Sequence, residues 1–419
     1  MLISNSVKRS AISPPMPSHL DHARSTPWAH SFTLLAMFVY VAKIADVVPP
    51  LSGLGLGKIL IGLAIGALIL EGGGWREGLL RNPILRPFLG IIFFVLAATP
   101  FAIWPGNSFN YLTNSFAKEV VFIFLLILTT RTYEDIRRVI WALVLNALVL
   151  DYVFFKYGLA DIVQTPVGRN EIAMVSVMAL GLLLPLKTEG MGKLLKVAGI
   201  LTLIAAVLTS ASRGGYLGLA FVSATFMYFR LGKKIGLTAM ALIVIAYLGY
   251  LQLPSDVRTN IDSIINYEQD YNVTAPEGRM EIWKRGIRII YENPILGVGI
   301  NNFAVAEGQL DREIRRPWMT AHNSPLQVAA EIGIPGMIVY FILISRLFSA
   351  ALRLRKESHP DGFSSVGTAL FIALVGYMAV GFFLSQGFSV VFYIIMAMSL
   401  SGERIISYLK ARHLAAKEQ

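Results

Sequence analysis

The sequence contains no cysteine and few charged residues. Its 419 residues include 37 Lys and Arg and 26 Asp and Glu, together 15% of the chain, whereas 55% of the residues are hydrophobic. Without cysteine the chain has neither disulfide bonds nor thiolate metal ligands. A chain this apolar, with a mean hydropathy of +0.60, is typical of a polytopic membrane protein and not of a soluble domain.

Metal and nucleotide motifs are also missing. The six histidines are scattered, and no HExxH motif or comparable cluster occurs, so we predict no metal site and no cofactor. Gly297 and Gly299 are not a nucleotide-binding fingerprint, because no predicted strand, turn and helix surround them as that motif requires. The first thirty or so residues are rich in Ser, Pro and His and have no apolar core before Phe32, which predicts a disordered tail and not a cleavable signal peptide.

Apolar runs predict an all-α fold with about twelve transmembrane helices. The runs are residues 32–48, 54–70, 87–103, 117–130, 139–155, 172–186, 194–209, 214–229, 235–251, 326–348, 366–384 and 387–400. The predicted organisation is a tail at 1–31, helices 1–9 at 32–252, a large loop at 253–324, helices 10–12 at 325–400 and a second tail at 401–419.

The basic residues predict the orientation of these helices. Cytoplasmic loops of membrane proteins carry an excess of Lys and Arg, and most of the basic residues fall on one side when both termini are cytoplasmic. The net charge of +11 is therefore interpreted as a topology signal, and we predict no nucleic-acid partner. This orientation places the loop 253–324 outside the cytoplasm.

Arg169 and Arg213 each lie alone on the predicted external side, at the start of a helix, against the general charge bias. Arg213 follows Ser212, a predicted N-cap, and precedes two glycines. Free backbone N–H groups, the helix dipole and a guanidinium would together favour a phosphate at this turn. The alternative is an arginine that reaches lipid headgroups, and the residues alone leave both interpretations open.

The loop 253–324 is the one long polar interval of the sequence. Thr274 and Glu277 predict a capping box for an amphipathic helix that ends at Asn293 and lies along the outer membrane surface. Its predicted apolar face is Met280, Trp283, Ile287 and Ile290, and its predicted solvated face includes Lys284, Arg285 and Arg288. Arg279 stands apart because a cation in the first turn of a helix opposes the dipole unless an anion is bound.

His322 is the candidate general base. Ser324 is a predicted N-cap and Pro325 suits the first helical position, so a helix is expected to begin just after the histidine. A positive helix end and nearby arginines favour the neutral imidazole, which can accept a proton. The alternative is a histidine that is merely a satisfied polar residue. In the same helix Glu331 is a candidate to face inward, and the GIPG sequence at 333–336 predicts a kink.

These motifs occur in a recognisable order: SRGG at 212–215, GRMEIW at 278–283, NPILGVG at 293–299 and AHN at 321–323. In this order and on one predicted side of the membrane, they resemble those of the O-antigen ligase and polymerase family of bacterial envelope glycosyltransferases. The similarity is strongest over about residues 201–348. The layout of twelve helices extends the resemblance over most of the chain.

The resemblance implies a metal-independent enzyme of the bacterial inner membrane. Such an enzyme moves a glycan from undecaprenyl diphosphate to an acceptor on the periplasmic side, so the expected partners are the lipid-linked donor, the lipid A core acceptor and membrane lipid. By resemblance Arg213 and Arg279 would bind the diphosphate, Arg169 would be a further basic position, and His322 would be catalytic. The loop 253–324 would be periplasmic.

Within the family, ligases attach O-antigen to lipid A core sugars, and polymerases extend the repeat unit. Polymerases tend to have two sizeable external loops, whereas this chain has one, so the expected activity is that of a ligase. A polymerase and a protein O-glycan ligase remain alternatives. A flippase for lipid-linked glycan is an alternative of another class, disfavoured because the helices are not divided into two groups of six and no internal repeat is evident.

Overall fold

The computed structural model describes residues 26–44, 49–72, 79–158, 168–232, 258, 262, 278–310, 318–357 and 362–417. Within these ranges the protein is all-helical. Apart from a single helical turn at Pro49–Ser52, the α-helices up to residue 231 are α1 (Pro27–Tyr40), α2 (Leu56–Leu70), α3 (Leu85–Ala98), α4 (Pro105–Thr129), α5 (Tyr133–Val153), α6 (Arg169–Leu183), α7 (Met191–Thr209) and α8 (Arg213–Leu231). The later ones are α9 (Arg279–Glu292), α10 (Phe303–Leu310), α11 (Ser324–Lys356), α12 (Phe363–Gly381) and α13 (Val390–Lys417).

Six of the described helices are long and apolar enough to cross a membrane, namely α4, α5, α7, α11, α12 and α13. Helices α2 and α3 are apolar but shorter. Eleven of the twelve predicted runs overlap one of these helices or α1, α6 or α8, and the run 235–251 lies outside the described residues. The all-α fold is therefore confirmed for the described residues, with six candidate membrane spans among them, whereas the number of twelve spans stays a prediction.

Helices α6 and α12 form the centre of the bundle. Helix α12 packs against α6, α8, α11 and α13, and α6 also packs against α5 and α7. Residues 172–183 of α6 are all buried. A Cβ added at Gly181 would lie 2.9 Å from the Cα of Ala373, so the two backbones touch, as small residues permit between membrane helices.

Helix α11 is interrupted in its first half. Ile332 and Gly333 leave the helical conformation, and Gly333 has a φ of +76°, which glycine adopts without steric cost. Pro335 follows and has no N–H to donate to the preceding turn. The predicted kink is thus confirmed. Because the kink interrupts the hydrogen bonds within the helix, backbone N–H and C=O groups at the break need partners from another segment.

The segment 294–302, which follows α9, supplies those partners. The N–H of Val298 donates to the C=O of Ala330 over 2.8 Å, and the N–H of Ile334 donates to the C=O of Pro294 over 2.8 Å. The approach is so close that a Cβ added at Gly333 would lie 2.1 Å from a backbone oxygen of the segment. The loop 253–324 is therefore anchored in the helical bundle at the break of α11.

Asn302 fastens the same segment to the start of α4. Its side chain is fully buried, and its Nδ2 donates to the Oγ of Ser108 over 3.0 Å and to the C=O of Trp104 over 3.2 Å. Its Oδ1 accepts from the Nδ2 of Asn107 over 2.8 Å. These bonds satisfy a buried amide, which would otherwise be costly, and fix the segment at its second end.

Replacing Gly333 with Ala tests this anchor. We expect the variant to lose at least about 2 kcal/mol of unfolding free energy, because the added methyl group meets backbone and the positive φ is strained for alanine. The measurement is thermal unfolding of the purified protein in detergent. Gly62 of α2 has open space around an added Cβ, so Gly62→Ala is the matched control and should change stability by no more than about 1 kcal/mol. Equal stabilities of the two variants would contradict the anchor.

Candidate active site

The connection between α12 and α13, residues 382–389, brings the predicted site residues together. The backbone N–H of His322 donates to the Oγ of Ser385 over 2.8 Å. The Oγ of Ser324 donates to the C=O of Leu384 over 2.7 Å. The start of α11 is thus joined to the end of α12, and the histidine is held at this junction.

His322 has an unusual backbone conformation. Its φ is +45°, in the left-handed region that few residues other than glycine adopt, although histidine and asparagine tolerate it. In the described part of the chain the other such residues are Lys43, Ala211 and Asn301. Ala211 lies two residues before Arg213, and Lys43 and Asn301 line a cavity beside the histidine. Strained residues of this kind cluster at functional sites, because surrounding contacts must hold them.

The imidazole of His322 is neutral at neutral pH. Burial and, to a smaller extent, the positive charge of Arg279 lower its pKa from 6.5 to about 4. The Oγ1 of Thr320 lies 3.5 Å from its Nε2. A neutral imidazole is the form that can accept a proton, as the sequence predicted.

Arg213 is the first residue of α8. The predicted cap is confirmed, since the Oγ of Ser212 accepts the N–H of Gly215 over 3.1 Å. The turn lies against Phe383, because a Cβ added at Gly214 would be 3.3 Å from the Cβ of Phe383. The start of α8 is therefore next to the 382–389 connection.

Arg279 is the first residue of α9 and reaches the same aromatic residue. Its guanidinium carbon lies 5.7 Å from the centre of the Phe383 ring, within the range of a cation–π contact. Arg279 also acts electrostatically on His322. Phe383 therefore lies between the start of α8 and Arg279, and the structure brings Arg213, Arg279 and His322 to one end of the bundle.

Arg169, the first residue of α6, lies at the same end. A Cβ added at Gly215 of α8 would be 2.8 Å from the Cβ of Ala173 in α6, so the starts of these helices are side by side. Glu171 accepts a hydrogen bond from the Nε2 of Gln386 over 3.0 Å, which joins α6 to the 382–389 connection. The side chain of Arg169 is exposed.

The three arginines occupy equivalent positions, each as the first residue of its helix. The caps of α6 and α9 are Gly168 and Gly278, which have no side chain to accept a bond from the first N–H groups. A cation at this position opposes the helix dipole. An anion bound there would interact favourably with the guanidinium, the dipole and the backbone N–H groups at once.

Helix α9 packs against the rest of the protein through a face that the apolar pattern did not indicate. The buried residues are Ile282, Gly286 and Ile289, whereas Met280 and Ile287 are 43% and 62% exposed. The prediction grouped the largest apolar side chains. The packing instead centres on Gly286, where an added Cβ would lie 2.7 Å from a leucine side chain of α11. Gly286 is thus the point at which α9 contacts α11, and a pattern of large apolar residues does not indicate such a glycine.

The prediction that Arg285 is solvated was wrong. Its Nε donates to the Oε1 of the fully buried Glu307 over 2.7 Å, and the Oε2 of Glu307 accepts the N–H of Met319 over 3.2 Å. The Nε1 of Trp283 donates to the C=O of Ala321 over 3.1 Å. Helices α9 and α10 thus hold the backbone directly before the histidine.

The cap of α11 differs from the prediction by one residue. The Oδ1 of Asn323 accepts the N–H of Leu326 over 2.8 Å, so Asn323 is the cap and Ser324 begins the helix. The hydroxyl of Ser324 instead donates to the C=O of Leu384 in the 382–389 connection. The capping box predicted at Thr274 and Glu277 lies outside the described residues.

A cavity of about 400 Å³ adjoins the histidine. Thr320, Ala321 and Ser385 line it, but the three arginines and His322 do not. Its charged lining residues, which sequence reasoning did not combine into a site, are Lys43, Glu119, Glu171 and Glu331. Charged residues within apolar runs, such as Glu119 and Glu331, are the signal that could have indicated them. Among the described residues no three His, Asp or Glu side chains are grouped to hold a metal ion.

Replacing Glu307 with Gln tests how the histidine segment is held. The variant leaves Arg285 without its carboxylate in a site where the arginine side chain is 12% exposed. We expect a loss of about 3–5 kcal/mol of unfolding free energy, as for other broken buried pairs. Glu292→Gln removes an exposed pair in α9 and should cost at most about 1 kcal/mol. Similar thermal unfolding of both variants in detergent would refute this role of Glu307.

The comparison with known families agrees with this geometry. Residues 198–341 match the O-antigen ligase family model. The matched segment includes Arg213, Arg279, His322 and the break of α11, whereas Arg169 lies outside it. No curated protein matches the chain significantly. Over residues 198–341 this match confirms the resemblance to the O-antigen ligase family that the sequence predicted.

Proposed function

We propose that the protein is an O-antigen ligase that transfers polysaccharide from undecaprenyl diphosphate to the lipid A core oligosaccharide. The observation that carries the proposal is the junction at which Phe383 contacts both arginine-bearing helix starts and Ser385 holds the backbone of His322. The family match supports a membrane glycosyltransferase of the ligase or polymerase type. A site with two cations and a neutral base suits a substrate that carries its own diphosphate leaving group.

The proposed location is the bacterial inner membrane, with both termini cytoplasmic and the site periplasmic. Helix α11 supports this orientation because His322 precedes its start and Arg353, Arg355 and Lys356 lie in its last turn. Its 33 residues span roughly 50 Å at about 1.5 Å per residue, more than the roughly 30 Å of a bilayer core. The basic end and the site are thus far enough apart to lie on opposite sides, with the basic end cytoplasmic.

In the proposed complex Arg213 and Arg279 bind the diphosphate of the donor, and Arg169 contributes a further positive charge. Guanidinium groups bind phosphate oxygens in a bidentate manner. The first N–H groups of α8 and α9 add to the attraction. Since arginines can neutralise the charge that develops on the leaving diphosphate, the transfer is proposed to need neither a nucleotide nor a metal ion.

The proposed reaction is a single in-line displacement at the anomeric carbon of the donor. A hydroxyl oxygen of the acceptor attacks this carbon, and the proton of the hydroxyl passes to the imidazole of His322. The bond between the anomeric carbon and the diphosphate oxygen breaks, and undecaprenyl diphosphate leaves with the electron pair. The new glycosidic bond forms on the opposite face, so the configuration is inverted.

Donor binding should make His322 a stronger base. With a pKa of about 4 in the free protein, the imidazole is neutral but weakly basic. A bound diphosphate places negative charge beside Arg279, which offsets the repulsion between the guanidinium and a protonated imidazole and raises the pKa. The substrate would thereby bring the base closer to the pKa that suits proton transfer at neutral pH.

This coupling predicts the pH dependence of transfer. Protonated His322 is inactive as a base, so the rate falls as the pH drops through its pKa. The acid limb of kcat/KM for the donor reports the free enzyme and should lie near pH 4, whereas the acid limb of kcat should lie at a higher pH. Transfer rates measured across a pH series would give both limbs. Limbs at the same pH, or in the reverse order, would contradict the coupling.

His322→Asn tests the base directly. Asparagine tolerates the positive φ, so the backbone is kept while the proton acceptor is removed. We expect transfer to fall by at least about 100-fold, and His322→Ala to be equally inactive, with normal folding in the membrane. His413→Asn changes an exposed histidine at the far end of α13 and should be fully active. Near-normal glycan attachment by His322→Asn would rule out the base.

A polymerase of the same family would use the same site, and the product decides between them. Deleting the gene and examining the lipopolysaccharide distinguishes the two activities. Loss of all attached glycan is the result expected for a ligase, whereas retention of a single repeat unit would indicate a polymerase. A flippase would move lipid-linked glycan without forming a glycosidic bond.

A further inference from the structure

The cavity beside the histidine has a chemistry opposite to that of the arginine side. Its charged lining consists of three carboxylates, Glu119, Glu171 and Glu331, and one ammonium, that of Lys43. Lys43 lies 3.5 Å from Glu171, so the other two carboxylates determine the character of the cavity.

One carboxyl oxygen of Glu331 is buried without a hydrogen-bond donor among the described residues. Its side chain is 2% exposed, and its Oε1 accepts the N–H of Phe303 over 3.3 Å. Its Oε2 is buried with no hydrogen-bond partner among the described residues, and so is the Oε2 of Glu119. Buried acceptors of this kind are costly unless something donates to them. Two of them on one cavity indicate a ligand that carries several donors.

We propose that this cavity binds an uncharged sugar residue of a glycan substrate, an inference that rests on the proposed glycosyl transfer. Sugar hydroxyls donate to carboxylates and accept from amides, and the cavity also offers Gln327, Gln386 and Asn301. Tyr40 and Tyr111 add aromatic surface for the apolar face of a sugar ring. The volume of about 400 Å³ lies within the range of small-molecule sites, about 300–1,000 Å³.

Residues next to the proposed base, His322, line the cavity. Thr320 and Ala321 line the cavity directly before His322, and Ser385 lines it while accepting the N–H of the histidine. A sugar bound in the cavity would therefore lie beside the segment that carries His322. The 382–389 connection separates this sugar site from the arginines, as a substrate with a diphosphate on one side and sugars on the other requires.

The bound sugar comes either from the donor glycan or from the acceptor, which share this chemistry. Calorimetric titration of the purified full-length protein in detergent separates the two sources. One arm uses the core oligosaccharide of the acceptor, and the other uses the donor polysaccharide repeat released from its lipid. We expect one of the two to bind to the wild-type protein, and the arm that binds identifies the source.

Two variants localise the binding. Glu331→Gln removes a charged acceptor at nearly constant volume and should weaken that binding by about tenfold or more. Ala304→Leu places a larger side chain at a residue that lines the cavity and should weaken it at least as much. Asp151→Asn is the matched control. Asp151 is a buried carboxylate of α5 with a partnerless Oδ2, but it does not line the cavity, so its variant should bind as the wild type does.

Binding without loss in either cavity variant would overturn the inference, and so would failure of both glycans to bind to the wild-type protein. Glycosyl transfer is measured separately with lipid-linked donor and acceptor. If no glycan is transferred but sugar binding persists and depends on Glu331, the result would count against the proposed function alone. If glycan is transferred but the cavity variants bind sugar as well as the wild-type protein does, the result would count against the proposed sugar site alone.

Discussion

Hydrogen bonds between the start of α11 and the α12–α13 connection are the constraint on which the site depends. They hold His322 in a left-handed conformation that an isolated peptide would rarely adopt. The same connection presents Phe383 to Arg279 and to the start of α8. Residues from three distant parts of the chain thus converge because one short segment contacts each of them, and the break of α11 anchors the loop that carries two of them.

Charge is separated across this segment. On one side, arginines stand at helix starts, where the helix dipole already has positive sign and a bound anion would interact favourably. On the other side, carboxylates line an adjoining cavity, and two of them have an oxygen without a hydrogen-bond donor among the residues that the structure describes. A lipid diphosphate that carries sugars has the complementary distribution, with its charge concentrated in the phosphates and neutral hydroxyls beyond them. The distribution of charge in the site is therefore complementary to that of the proposed substrate.

Local sequence signals predicted much of the fold. Apolar runs located the helices, and the cap at Ser212 and the kink near Gly333 followed from residues adjacent in the chain. Contacts between distant segments were not predictable in this way. The face of α9 depends on a glycine that meets α11, the burial of Arg285 depends on Glu307 of another helix, and no local pattern marks residues 382–389 as the junction. Arg213, Arg279 and His322 were identified through motif order, but the cavity depends on packing.

The account is tested most directly by reconstituting the reaction with purified protein, lipid-linked donor and lipid A core acceptor, in the presence of a metal chelator and without a nucleotide. Mass spectrometry of the acceptor would detect the new glycosidic bond. The account predicts that the acceptor gains the glycan in one step and that undecaprenyl diphosphate is released in equal amount. An acceptor that stays unmodified in this mixture but becomes modified when a metal ion or nucleotide is supplied would contradict it.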